Sequence, residues 1–199
     1  MECELIKPVF FSRKMGVYPE FSNMYLSPVT MDDGLTYPSN ENAFQAYKCI
    51  DITQRTAFLE VAPYVAKKLG RSVCIRSDWD TVRFYVMLQC VRNKFTQNKP
   101  LADLLKGTGR AWLVENTTGW KDNTWGCDFN MYSDSKNWLG LCLMIVRAEL
   151  TGDGIACVPS FKGNIEFDIV KNWEALYRDY NVYSAVNRLL HWSYSTMAT

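Results

Sequence analysis

The chain has a single histidine, His191, and that scarcity excludes a good deal. A zinc site built on histidines is impossible, and a Ser-His-Asp or Cys-His arrangement would depend on one residue in a Trp-Ser-Tyr-rich tail. No two of the seven cysteines (Cys3, Cys49, Cys74, Cys90, Cys127, Cys142 and Cys157) are spaced as Cys-x-x-Cys, so a cysteine-only metal site is not indicated either. Their odd number and mostly apolar surroundings read as reduced, buried thiols in a reducing compartment. Walker and G-x-G-x-x-G loops are missing, and with them those two modes of nucleotide binding. Net charge is only +1, which gives no general electrostatic drive toward nucleic acid, though a local basic patch remains open. No stretch is long and apolar enough to span a bilayer, and "MECELIKPVFF" lacks the cationic lead and apolar run of a signal peptide. The expectation is a cytoplasmic protein without a zinc site of either kind. If it is an enzyme, its chemistry rests on carboxylates.

What the chain does have is apolar and aromatic content, 48% and 14%, enough to bury a core within its 199 residues. "KPVFFS" and "FSNMYLSPVTM" read as short strands. Ser39 is an N-cap candidate for a helix running to about Asp51, and Thr53 for a short one through Glu60. "APYVAKKLG" reads as a third helix stopped by Gly70. Asp78 can cap the long "WDTVRFYVMLQCVRNKFTQN", whose apolar residues cover so much of its circumference that it is expected at the centre. "KPLADLLKGTG" is a further short helix, "AWLVEN" a strand, and "NWLGLCLMIVRAEL" a second strongly apolar helix. A Gly- and Pro-punctuated linker then leads into a tail rich in Trp and Tyr, read from about Asn164 as two helices. The fold class is α+β, predominantly helical: one domain over residues 1–150, with a linker and helical extension over 151–199.

Glu41 stands out in "YPSNENAFQAYK" (37–48). It sits in the first turn of its helix but on the stripe of Phe44, Gln45 and Lys48, which would pack inward. The macrodipole and free N–H groups there favour a carboxylate by about 0.3–1 kcal/mol, which accounts for the residue without function. The same environment favours the ionised form, which suits a general base. Trp79 is either a core plug or a wall on which a base stacks. The loop "GWKDNTWGCD" (119–128) places two tryptophans and two aspartates where tryptophan is costly unless it covers something.

Five ordered segments carry a resemblance. "EFSNMY" (20–25), "TYPSNENAFQAYK" (36–48), "AKKLGR…RSDWDTVRFYVMLQCVRNKF" (66–95), "LLKGTGRAWLVENT…DNTWG" (104–126) and "NWLGLCLMIVRAEL" (137–150) resemble the NADAR, or YbiA-like, family over three-quarters of the chain. That resemblance implies an N-glycosidase without metal or cofactor. Two substrate classes go with it: ADP-ribose attached to guanine in nucleic acid, and phosphoribosylated pyrimidine intermediates of riboflavin synthesis. Matched residue by residue, the family glutamate falls on Glu41. The motif tryptophan falls on Trp79, the acid and tryptophan of D-x-x-W-G on Asp122 and Trp125, and the N-terminal FSN on Phe21, Ser22 and Asn23. Two departures stand out. Asn40-Glu41-Asn42 replaces Ser-Glu-His, and "CDFNMYSD" replaces a glycine-rich run.

Cleavage of a ribose–nitrogen bond passes through an oxocarbenium-like state, which calls for a carboxylate that stabilises charge and activates water, and for help to the leaving nitrogen. The expected assignment makes Glu41 the catalytic carboxylate and Asp122 the second, on the water or the ribose. The binding residues are Phe21, Ser22, Asn23, Asn42, Gln45, Lys48, Arg71, Arg76, Trp79, Trp125 and Gly126, with Lys48, Arg71 and Arg76 as phosphate contacts. The expected partner is ADP-ribosylated nucleic acid, or otherwise a ribosyl nucleotide. A binding module without turnover is the alternative class, and the oligomeric state is not legible.

Overall fold

The computed structural model describes residues 8–12, 18–128 and 135–153; the helices expected in the tail lie outside them. Among these residues four strands and six helices make up an α+β fold dominated by helix. They are β1 (Val9–Phe11), β2 (Leu26–Thr30), β3 (Thr36–Ser39), α1 (Asn40–Ala46), α2 (Ile52–Arg55), α3 (Pro63–Leu69), α4 (Trp79–Thr96), α5 (Lys99–Gly107), β4 (Leu113–Glu115) and α6 (Trp138–Thr151). β2 and β3 form an antiparallel hairpin, and β1 pairs in parallel with β4. No helix among the described residues is long and apolar enough to cross a membrane.

The core sits between α4 and α6. α6 is buried from Trp138 to Ala148, including Leu139, Leu141, Leu143, Met144, Ile145 and Val146. Each such aliphatic side chain contributes roughly 1.5–3 kcal/mol when removed from water. The long α4, expected at the centre, buries Phe84, Met87, Leu88, Cys90, Val91 and Phe95 against it but keeps a solvated side. Arg92 of α4 grips Glu149 of α6 through two bonds of 2.8 Å. Cys49, Cys90, Cys127 and Cys142 are unpaired and buried, while Cys74 is unpaired and exposed.

Several local expectations are corrected. The strand expected from Phe21 begins only at Leu26, because Pro19–Phe21 winds into a 3-10 turn. β3 occupies Thr36–Ser39, where the sequence offered only a lead-in to a helix; pairing with β2 supplies what local propensity does not. α1 stops at Ala46, well before Asp51. Asp51, not Thr53, caps α2: its carboxylate accepts from the Thr53 N–H at 2.8 Å. The Asp78 side chain makes no cap, because Arg76 holds it at 2.5 and 2.8 Å.

Two buried polar side chains fix the parts that carry the site. Asn137, in the left-handed region at φ 47°, opens α6. Its amide donates to Leu113 O at 2.9 Å and accepts from Glu115 N at 3.1 Å, doing along β4 what another strand would do. A side chain at Gly140 would collide with Leu113 O and with this amide. Lys94, fully buried in α4, donates to the carbonyls of Glu20 (2.6 Å) and Ser22 (3.0 Å) and so anchors the 3-10 turn. Burial pushes its ammonium down to about 7.

Two outcomes follow. Gly140→Ala lowers stability by about 1–3 kcal/mol in chemical denaturation, because the overpacked residue displaces the Asn137 bridge. Lys94 loses its proton near pH 7 when folded but near 10.4 when unfolded. The unfolded chain therefore binds more protons across that window, and stability contributed at this site rises with pH from about 7 to about 10. Lys94→Met flattens that rise, measured as denaturation midpoints across pH.

Candidate active site

Every residue of α1 is buried, so the helix has no outward face on which Glu41 could sit. Four bonds hold this short helix in place. Ser39 caps it by accepting from Asn42 N, the Glu41 N–H donates to Asn23 O at 2.9 Å, and Asn42 reaches out of α1 to the segment before α3. The Glu41 side chain is 5% exposed. Its Oε1 accepts from Gln45 Nε2 at 2.8 Å, one turn on. The helix start was expected to favour the ionised form, but burial outweighs it and the carboxyl is pushed upward. Lys67, the Gln45 bond and Lys48 act in the opposite direction, and the charge of Asp122 adds to the rise.

Gln45 is itself set by Gly70. This glycine ends α3, as expected, but in an ordinary right-handed conformation. Its missing side chain is needed for space: a Cβ there would run into the Gln45 carboxamide oxygen. Lys48 donates to Gly70 O at 2.9 Å and lies 6.0 Å over the Trp79 ring. Burial holds its ammonium below the usual lysine range, with Arg71 and Lys67 adding to the effect and Glu41 opposing it.

The loop after β4 supplies Asp122. Its Oδ1 accepts from Thr124 N (3.2 Å) and Trp125 N (2.9 Å), and its carbonyl accepts from Thr117 Oγ1 at 2.8 Å. The carbonyls of Thr124 and Trp125 in turn receive the first N–H groups of α6, from Trp138 and Leu139. The loop is thereby tied to the most buried helix. Gly126 is the point of closest approach. A Cβ there would strike the Thr117 side chain and, at 2.8 Å, Glu115 O.

The residues anticipated from sequence divide into two groups. Glu41, Gln45, Lys48, Asp122 and Asn23 come together, with Arg71 on the exposed side within the field of Lys48. Asn23 is 8% exposed, and among the described residues its Oδ1 has no hydrogen-bond donor. The second group is taken up by the protein itself. Asn42 is wholly buried; it accepts from Ser39 Oγ (2.6 Å) and donates to Phe58 O (2.9 Å) and Val61 O (2.8 Å), which leaves no group for a substrate. Phe21, 1% exposed, stacks on Tyr18 and meets Phe11 edge-on in the core. Ser22 is buried, and its Oγ accepts from Met24 N. The Arg76 guanidinium is bound to Asp78. Gly126 acts through the space it leaves. Trp79 and Trp125 both lean on Phe44, with centroids at 5.0 and 5.1 Å, so one side of each ring is occupied by protein.

Two groups went unanticipated. Glu115, the last residue of β4, lies within Coulombic reach of both Asp122 and Glu41, and Lys67 of α3 faces Glu41 and Glu115 together. Glu115 follows an apolar pair in a strand and Lys67 belongs to a helical Lys-Lys pair; neither pattern signals a site. Desolvation, then the charges of Asp122 and Glu41, push the Glu115 carboxyl up to about 8, against the pull of Lys67. Among the described residues no cluster of three or more His, Cys, Asp or Glu is arranged to hold a metal ion.

The α+β domain gathers three carboxyl groups beside two lysines, and these form a candidate site of the carboxylate type. The NADAR domain family model matches residues 9–151. N-glycosidase YbiA of Shigella flexneri serotype 5b (strain 8401) is 39% identical over 136 residues, covering 67% of this chain and 82% of that protein. A riboflavin biosynthesis protein of Vibrio vulnificus (strain YJ016) is 34% identical over 147 residues, covering 72% of this chain and 39% of that protein. The NMR structure of the E. coli protein YbiA matches with a TM-score of 0.65 at 35% identity, over 74% of this chain and 87% of that one. The chain belongs to the NADAR family. Family and relatives place it among the N-glycosidases, hydrolases acting on N-glycosyl compounds.

Gln45 lowers the Glu41 carboxyl by donating to it. Gln45→Leu removes that donor, so the acidic limb of the pH–rate profile moves to higher pH, read as kcat/KM against pH. Gly70→Ala, which displaces the same carboxamide, shifts the limb in the same direction.

Proposed function

We propose that the chain hydrolyses the bond between the anomeric carbon of a ribose and a nitrogen, and that its substrate is ADP-ribose attached to guanine in nucleic acid. The observation that carries the reaction is Glu41: a buried carboxylate with one protein hydrogen bond, flanked by Lys67 and Lys48. A carboxylate kept from bulk water stabilises positive charge at the anomeric carbon and takes a proton from the attacking water. Asp122 keeps Oδ1 on its own loop, which leaves Oδ2 for that water or a ribose hydroxyl. Asn23 Oδ1 is a buried acceptor suited to a ribose hydroxyl. Lys48 and Arg71 supply positive charge for phosphates, in a chain without a phosphate loop.

The exposed Lys121, next to Asp122, favours a nucleic-acid substrate over a small enclosed one, since a surface cation beside the site suits a phosphate backbone. A second reading has its own support: the Vibrio vulnificus relative is named a riboflavin biosynthesis protein, which favours a phosphoribosylated pyrimidine.

The test is turnover of an oligonucleotide carrying ADP-ribosylated guanine, beside phosphoribosyl pyrimidine intermediates. Wild type releases ADP-ribose from the oligonucleotide, and Glu41→Gln slows release by about 10²–10⁴-fold with little change in binding. Release from the pyrimidine nucleotides alone transfers the assignment to the second reading. Binding without turnover of either makes the domain a recognition module.

A further inference from the structure

Glu41 and Asp122 leave one task of the reaction without a residue. As the C1′–N bond breaks, its electron pair goes to nitrogen, and a base leaves far more readily if that nitrogen is protonated. Resting on the hydrolysis proposed above, we infer that Glu115 is the proton donor to the departing nitrogen.

The argument begins with position. Glu115 ends β4, and its main chain is held on both sides: its N–H donates to Asn137 Oδ1 at 3.1 Å, and its carbonyl accepts from Cys127 N at 2.8 Å. Gly126 packs so closely that a Cβ would lie 3.2 Å from the Glu115 Cβ. The side chain therefore starts from a fixed point. Among the described residues its carboxyl receives no hydrogen bond. Its neighbours in charge come from every element around the site: Glu41 from α1, Lys67 from α3 and Asp122 from the loop after β4.

Chemistry then separates the two glutamates. Three carboxyl groups in one field cannot all be ionised cheaply, and the proton rests where the anion is least supported. Glu41 has a hydrogen bond from Gln45 and the charges of Lys67 and Lys48. Glu115 has Lys67 alone, against two carboxylates and its own desolvation, which place its titration at about 8. Glu41 is therefore the better supported anion and Glu115 the better placed acid, and environments that differ in this way separate the base from the acid of a hydrolase. The step balances. Water loses a proton to Glu41 and bonds through oxygen to C1′. The C1′–N pair goes to nitrogen, which takes the Glu115 proton. ADP-ribose leaves, the unmodified guanine stays in its strand, and solvent exchange restores both carboxyls.

The experiment compares wild type, Glu115→Gln and Glu41→Gln on two ribosyl compounds. One is the oligonucleotide with ADP-ribosylated guanine. The other is NAD⁺, whose nicotinamide departs neutral without needing a proton. Glu115→Gln is expected to lose about 10²–10⁴-fold in kcat/KM on the guanine adduct. It is also expected to lose the alkaline limb that wild type shows near pH 8, and to keep any wild-type rate on NAD⁺. The wild-type infrared spectrum at neutral pH carries a protonated-carboxyl band that Glu115→Gln lacks, a readout independent of turnover. If Glu115→Gln does not fold, Glu115→Asp takes its place, slower but with the alkaline limb retained. An active wild type whose Glu115→Gln variant keeps its rate and alkaline limb overturns the donor role and leaves the hydrolase reading standing. A missing carboxyl band overturns it as well. A wild type inert on the guanine adduct and on phosphoribosyl pyrimidines sinks the hydrolase reading, and the donor role with it.

Discussion

The site depends on keeping the Glu41 carboxylate inside the protein. Burying an isolated carboxylate is costly, and among the described residues that cost is offset by one hydrogen bond and two nearby ammonium groups rather than a direct ion pair. A tight salt bridge would have left the carboxylate stable but chemically occupied. Much of the surrounding architecture serves the looser arrangement. Gly70 has no side chain so that Gln45 can lie against it, and Lys48 is fastened to the Gly70 carbonyl. Both bring α3 and its Lys67 to the start of α1.

α1 is seven residues long, too short to be stable by itself, and it holds its shape only through tertiary bonds. The Asn23 carbonyl takes the Glu41 N–H, and Asn42 ties α1 to the Phe58 and Val61 carbonyls. The segment carrying Asn23 is anchored in turn by the buried Lys94. On the other side, Asn137 joins α6 to β4, and the loop with Asp122 closes onto the first turn of α6. Three carboxyl groups from three separate segments meet because each segment is fixed to the same apolar core.

Asn42 shows how one position can be reused. A histidine in the family's Ser-Glu-His would exchange protons near neutral pH, whereas asparagine cannot. Here Asn42 bonds the Phe58 and Val61 carbonyls and the Ser39 hydroxyl, and works as a strut beneath α1. On the proposed reading, proton transfer at this site falls to carboxyl groups.

Much was legible in the chain itself. The Ser39 cap, the lengths of α4 and α6, the strand at Leu113–Glu115 and the inward placing of Glu41 follow from local patterns: a capping side chain, helical periodicity, an apolar run. One histidine and no Cys-x-x-Cys spacing set the expectation of carboxylate chemistry. Other features were decided only when distant segments met. β3 exists because β2 pairs with it, and α1 ends early because its surroundings, not its propensity, set its length. Phe21 and Asn42 became core and strut because burial took their surfaces. Glu115 and Lys67 joined the site because the fold brings β4 and α3 to α1. Local sequence determines which segments are helical and which side chains are ionisable, since those depend on neighbours a few residues away. Which carboxyl keeps its proton depends on desolvation and on charges from other segments, and only the tertiary structure sets those.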